Sequence, residues 1–281
     1  MSFSKFFISI CITLLFCLAG YSQNTPSFNV IKKGRGKQTV IFIAGFASSS
    51  KVWDETVEIL SKNKTTYTIG FSGFAGSTAQ DNPDLTVWEN DIVKFIKEQK
   101  IRNPILVGHS MGGTVALEIA ATHPEIISKL VVVDALPSIA AFYNPSFKAQ
   151  ENIDCTPFIK QFVGMSDSQF YDMQKTSISQ MVSSAARAEA ILDWSVKSDR
   201  KTLGKIYCQF INIDLREKLA AITAPSLILL EPSFKSKEAE VKRQYAGLVN
   251  ADIRFADKGL HFIMYDAPKW FVKSLQSFLS R

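Results

Sequence analysis

Four short apolar runs alternate with amphipathic segments over the first half of the chain, and this order restricts the fold more than any other feature. The runs are TVIFIAG (39–45), TYTIGF (66–71), PILVG (104–108) and KLVVVDA (129–135). Between them lie SKVWDETVEILSK, TVWENDIVKFIKEQK and GTVALEIAATHP, each with a helical pattern. In the second of these, Trp88, Ile92, Phe95 and Ile96 share one helical face. Short, continuously apolar strands separated by helices predict an α/β fold with a mostly parallel sheet covered by helices on both faces. Upstream, FNVI and TVIFIAG flank KKGRGK and predict a strand–turn–strand hairpin. That turn opens no helix, so its Gly-x-Gly-Lys is not a phosphate loop.

The alternation stops near Pro137 and resumes with PSLILLEPS (225–233), a helix, the strand ADIRFAD, the segment GLHFIM and a closing helix APKWFVKSLQSFL. Residues 138–218 contain helical stretches and no clear strand. The expected organisation is therefore a core over residues 27–137, a helical cap inserted over 138–218, and the rest of the core over 219–281. At 281 residues the chain is long enough for one large α/β domain.

Residues 1–22 stand apart. A short cationic start, MSFSK, precedes the uncharged apolar run FFISICITLLFCLAG, and Gly20 and Ser22 are small residues at −3 and −1 of a cut before Gln23. That pattern predicts a secretory signal peptide, an exported protein (periplasmic or secreted), and no stable membrane anchor after cleavage. Phe16 before Cys17 disfavours lipidation there. Cleavage removes Lys5 alone among the charged residues, lowering the net charge from +6 to +5. The excess is scattered, with no dense basic block, which argues against nucleic-acid binding. Two cysteines remain, Cys155 and Cys208. In an oxidising compartment they can pair, or they can be buried and inert.

The chemistry concentrates at Gly108-His109-Ser110-Met111-Gly112, between a strand and a helix. A turn of this kind strains the serine backbone and exposes its hydroxyl at the carboxyl end of the sheet. The Met111 amide opens the following helix, where an unpaired N–H and the helix dipole favour an oxyanion. A serine nucleophile needs a base, and the chain has three histidines. His109 precedes the serine, so its side chain is expected to leave the other side of the turn and to pack. His123 lies about three helical turns away, roughly 18 Å at 1.5 Å per residue. His261, in a loop after the last strand, remains.

These motifs, with FIAGFASSSKVW ending a strand before a helix, resemble the α/β-hydrolase superfamily with an inserted cap. The similarity spans nearly all of residues 27–281. Runs such as VVVDALPS, QYAGL and HFIMYD are similar to those of exported bacterial hydrolases of unassigned substrate. The resemblance implies Ser110 as nucleophile, His261 as base on the last loop, and an oxyanion hole from the amides of Met111 and Phe46. It also implies the chain order serine, acid, histidine. Two departures affect substrate rather than catalysis: Ala44-Gly45 replaces the common His-Gly, and GFSGFAGS lacks an aspartate that many relatives carry.

The third departure concerns the acid. Relatives most often place an aspartate after the strand that follows the cap, where this chain has Glu231 and Phe234. Asp134 is the preferred alternative. A right-handed crossover lays its strand beside the nucleophile's strand, so both carboxyl ends meet at one edge. Glu231 is the rival, and Asp257 reads as a turn residue.

The expected activity is a serine hydrolase, esterase-like, acting on a small-molecule acyl substrate through an acyl-enzyme on Ser110. The alternatives are a non-catalytic ligand-binding or receptor protein on the same fold and an acyltransferase. Scattered histidines and no His/Cys cluster predict no metal and no cofactor. Oligomeric state is not encoded in any motif of the chain.

Overall fold

The computed structural model describes residues 25–280, so the leader expected over residues 1–22 lies outside the described residues. A seven-stranded sheet forms the centre, in the order β1-β3-β2-β4-β5-β6-β7. Its strands are β1 (Phe28–Lys33), β2 (Thr39–Ile43), β3 (Thr65–Phe71), β4 (Ile105–His109), β5 (Lys129–Val133), β6 (Ser226–Leu230) and β7 (Ala251–Phe255). Only β1 runs antiparallel to its neighbour.

The expected hairpin of β1 with β2 does not form. β3 lies between them and pairs with both. The physical reason is burial. TVIFI has no polar face and takes a position with a partner on each side. FNVIKK is largely exposed and ends in two lysines, which suits an edge strand.

The central strands send alternate side chains into two separate cores. Ile41, Ile43, Leu106, Leu130, Val132 and Ile228 face one layer. Val40, Phe42, Val107, Val131, Val133 and Leu229 face the other. The first layer is closed by α2 (Leu85–Glu98) and α3 (Met111–Thr122), the second by α1 (Asp54–Leu60) and α11 (Pro268–Leu279). In α2 the Asp84 side chain accepts from the Val87 amide, a cap that contributes about 1 kcal/mol, and Trp88, Ile92 and Ile96 are buried. Phe95 is only partly buried.

Between β5 and β6 the described chain is helical. It forms α4 (Ile139–Tyr143), α5 (Thr156–Gly164), α6 (Asp167–Ser179), α7 (Ala185–Val196) and α8 (Arg200–Ile211). Two short helices complete the fold, α9 (Glu238–Gln244) before β7 and α10 (Ile263–Asp266) after it. Ser166 and Gln169 start α6 with a reciprocal capping box, and Asp199 caps α8. A disulfide joins Cys155, which precedes α5, to Cys208 in α8. It spans 53 residues, a loop whose closure is worth on the order of 4 kcal/mol in the chain-entropy account. The same two helices touch at Gly204, where a Cβ would stand 2.6 Å from Ile159 Cα. No described helix is long and apolar enough to cross a membrane.

Candidate active site

β4 delivers the serine. Its last residue is His109, and Ser110 then adopts φ 53°, ψ −127° before α3 begins at Met111. The strain is held by hydrogen bonding: the Ser110 amide donates to the Val133 carbonyl at 2.9 Å. Glycines allow the turn. A Cβ on Gly108 would lie 2.1 Å from the Gly112 carbonyl oxygen, and one on Gly112 2.5 Å from that of Ala44. Met111 is the first residue of α3, so its amide has no partner within the helix. The loop after β2 lies against the serine: a Cβ on Gly45 would sit 3.1 Å from Ser110 Cβ. That contact brings Phe46 to the same cavity wall as Ser110.

β5 delivers the acid. Asp134 follows it directly with φ 49°, a left-handed conformation that aspartate tolerates better than most residues. Its amide donates to the Leu229 carbonyl at 2.8 Å. Its carboxylate accepts two short hydrogen bonds, from the Glu231 amide to Oδ1 and from His261 Nδ1 to Oδ2, both at 2.7 Å. The rival, Glu231, thus contributes its backbone to Asp134, while its own carboxylate accepts from the Ser233 hydroxyl at 2.7 Å. Burial raises the Glu231 carboxyl above its ordinary value, the Ser233 hydrogen bond opposes this, and the Asp134 charge adds to the rise. Asp257 is exposed and is not part of the cavity wall.

His261 stands in the loop between β7 and α10. The carboxylate accepts, so His261 Nδ1 is the donor in this bond, and Nε2 is the ring nitrogen not engaged by Asp134. Several contacts fix this loop. The Phe262 amide donates to the Met181 carbonyl at 3.0 Å, and the Leu260 amide to the Asp266 carboxylate at 3.0 Å. Asp266 also accepts from the Ser183 amide and hydroxyl, between α6 and α7.

His109 is buried, as expected of a packing residue, yet its ring turns towards His261 rather than away. The ring centroids are 4.6 Å apart, and His109 Nε2 donates to the His261 carbonyl at 3.0 Å. Burial, reinforced by the His261 ring, drives its pKa well below the ordinary histidine value and keeps it neutral. Its Nδ1 has no hydrogen-bond partner. Residue types alone could not place this contact, which joins positions 152 apart in the chain. His123 caps the far end of α3 beside Glu125.

Ser110, Asp134 and His261 all line one cavity of about 620 Å³. Its roof is built by α5, α6, α7 and α8, through Phe162, Met173, Ile178, Ile191 and Phe210 among others. No group of three metal-ligating side chains occurs among the described residues.

A mostly parallel sheet with a serine on a strained strand-to-helix turn, and with a histidine–aspartate pair at the same edge, defines a hydrolase-type α/β architecture. Residues 38–268 match the family described as the alpha/beta hydrolase fold, and the chain belongs to that family. It is 28% identical over 202 residues to the pimeloyl-[acyl-carrier protein] methyl ester esterase of Vibrio cholerae, covering 70% of this chain and 75% of that protein. It is 22% identical over 199 residues to a putative carbamate hydrolase, RutD, of Serratia proteamaculans, covering 68% and 71%. The enol-lactonase of Burkholderia xenovorans LB400 superposes with a TM-score of 0.75 at 15% identity, over 90% of this chain and 96% of that one.

Proposed function

We propose that this protein is an exported serine hydrolase that cleaves a carboxylic ester or similar acyl compound through an acyl-enzyme on Ser110. The observation that carries this reading is His261 Nδ1 bonded at 2.7 Å to Asp134, with His261 and Ser110 on the wall of one cavity. In this reading Ser110 Oγ attacks the carbonyl carbon and His261 Nε2 takes its proton. The amides of Met111 and Phe46 receive the tetrahedral oxyanion. Collapse expels the alcohol, which takes the proton from His261. Water then attacks the acyl-enzyme by the same path, with His261 again base and then acid. Asp134 keeps the imidazole oriented and stabilises it while charged. The relatives named as esterases and hydrolases support the reaction class. The leader-like residues 1–22 and the Cys155–Cys208 bridge support export.

Two variants test it. Ser110→Ala is expected to lower turnover of activated aryl esters by roughly 10⁴-fold or more and to abolish labelling by a fluorophosphonate. Asp134→Asn is expected to cost about 10⁴ in kcat while the protein stays folded. Near wild-type turnover and labelling in Ser110→Ala would remove the serine mechanism. A folded wild-type protein that neither labels nor turns over any ester would favour a ligand-binding role instead.

A further inference from the structure

The cavity over Ser110 is unusual in its charges. Its ionisable wall residues, apart from the phenol of Tyr207, are Asp134, Glu231, His109 and His261, and no lysine or arginine lines it. The chain as a whole has 32 lysines and arginines against 26 acids, so the wall runs against the bulk composition. Asp134 has its two hydrogen-bond donors, and His109 is held neutral. Glu231 differs. It is half-buried, its carboxylate receives one neutral hydroxyl, no lysine or arginine salt bridge reaches it among the described residues, and the charged groups that face it are Asp134, His261 and Asp266. The lysines that follow it in sequence are engaged elsewhere. Lys235 Nζ lies 2.6 Å from Glu238, and Lys237 sits 5.2 Å from the Phe142 ring centroid. The remaining wall is apolar or uncharged, with the amides of Gln161, Gln174 and Gln180 among aliphatic and aromatic side chains.

An anionic group entering this space gives up its hydration and meets no lysine or arginine in return. It also meets the field of Glu231 in surroundings less polar than water. An uncharged chain pays neither cost. A cationic group is attracted by Glu231 and by the faces of Phe46, Tyr207 and Phe234 on the same wall. The positive charge of the outer surface draws anions towards the molecule, but salt screens that attraction beyond about 8 Å. The local wall therefore decides.

We infer that the pocket accepts an uncharged or cationic acyl group and rejects an anionic one, with Glu231 setting the discrimination. This rests on the serine-hydrolase reading for its substrate class.

The experiment compares 4-nitrophenyl hexanoate, its adipate half-ester and its 5-trimethylammoniopentanoate counterpart, each corrected for spontaneous hydrolysis. For the wild type, kcat/KM for hexanoate is expected to exceed that for adipate by about tenfold or more, with the cationic ester at least equal to hexanoate. Glu231→Gln is expected to narrow the hexanoate-to-adipate ratio by about fivefold and to lower the preference for the cation. Binding of the inert analogues hexanamide and adipamate, followed by protein-observed NMR, gives the same comparison without catalysis. If no ester is turned over, the hydrolase reading fails, and the two amides still judge the pocket. Equal handling of neutral and anionic probes by the wild type overturns the inference. A ratio unchanged in folded Glu231→Gln removes Glu231 from it.

Discussion

At the scale of single residues, Ser110 and His261 stand out in the sequence because each has a restrictive context, a glycine-flanked turn and an elimination among three histidines, and the structure places both on one cavity wall. The placement of Asp134 beside them was legible only through topology. Its strand had to lie beside that of Ser110, and the two strands do pair from Ile105–Lys129 to His109–Val133. The contact of His109 with the His261 carbonyl was invisible in sequence, because it depends on the end of β4 meeting the loop after β7 in space. In the proposed mechanism that contact holds the His261 backbone, and the expectation that His109 positions the base is testable. His109→Phe keeps a ring there and removes the 3.0 Å hydrogen bond. We expect kcat to fall about tenfold with KM little changed, the scale of one hydrogen bond whose partner is left buried. Thermal stability carries a second signature. With its native pKa depressed, His109 binds a proton only on unfolding once the pH falls below about 6.5. Wild-type stability therefore drops as pH falls below that value, and His109→Phe should show a shallower drop. Identical kcat and identical slopes of Tm between pH 5 and 7 would reduce His109 to packing.

At the scale of elements, periodicity located the strands and helices but not their neighbours. The hairpin expectation fails because adjacency in sequence is not adjacency in the sheet: burial places β3 between β1 and β2. The pattern also missed an electrostatic fault in α2. Glu89 is pushed up to about 8, by burial first and then by the charge of Glu118, although Lys218 opposes the rise. Lys218 is itself bound to Glu118 at 2.6 Å, so it compensates Glu89 poorly. The sign of the consequence follows from proton counting. Between the ordinary glutamate value and about 8 the folded protein holds a proton that the unfolded chain has lost, so stability falls as pH rises through that window. Glu89→Gln is expected to be near neutral at pH 5 and to stabilise by about 1–2 kcal/mol at pH 8. Denaturant midpoints at the two pH values measure it, and an equal effect at both would rule out the titration.

At the scale of the whole molecule, the sequence shows a strand–helix rhythm that stops near Pro137, and the described chain between β5 and β6 is helical. What the inserted helices do was not readable, since the aromatic residues of a helical insert can as well make its own core. Phe170 is fully buried and Tyr143 largely exposed, while Phe162 and Tyr207 reach the cavity. The fate of Cys155 and Cys208 was likewise open in sequence and is a bridge in the structure. Export and oxidation give one joint prediction. Mature protein recovered from the periplasm or medium should begin at or near Gln23, and its non-reduced mass should be two hydrogens below that of the dithiol form. A full-length chain, or free thiols in the exported material, would contradict it.

The bond from the Phe262 amide to the Met181 carbonyl ties the α6–α7 turn to the residue after His261. Two of the roof helices, α5 and α8, are riveted to each other by the bridge, while α6 and α7 are moored to the base loop by hydrogen bonds at Met181 and Ser183. Any displacement of that turn must break hydrogen bonds on either side of it, at Met181 and at Ser183, so the roof cannot shift there without disturbing the loop that carries His261.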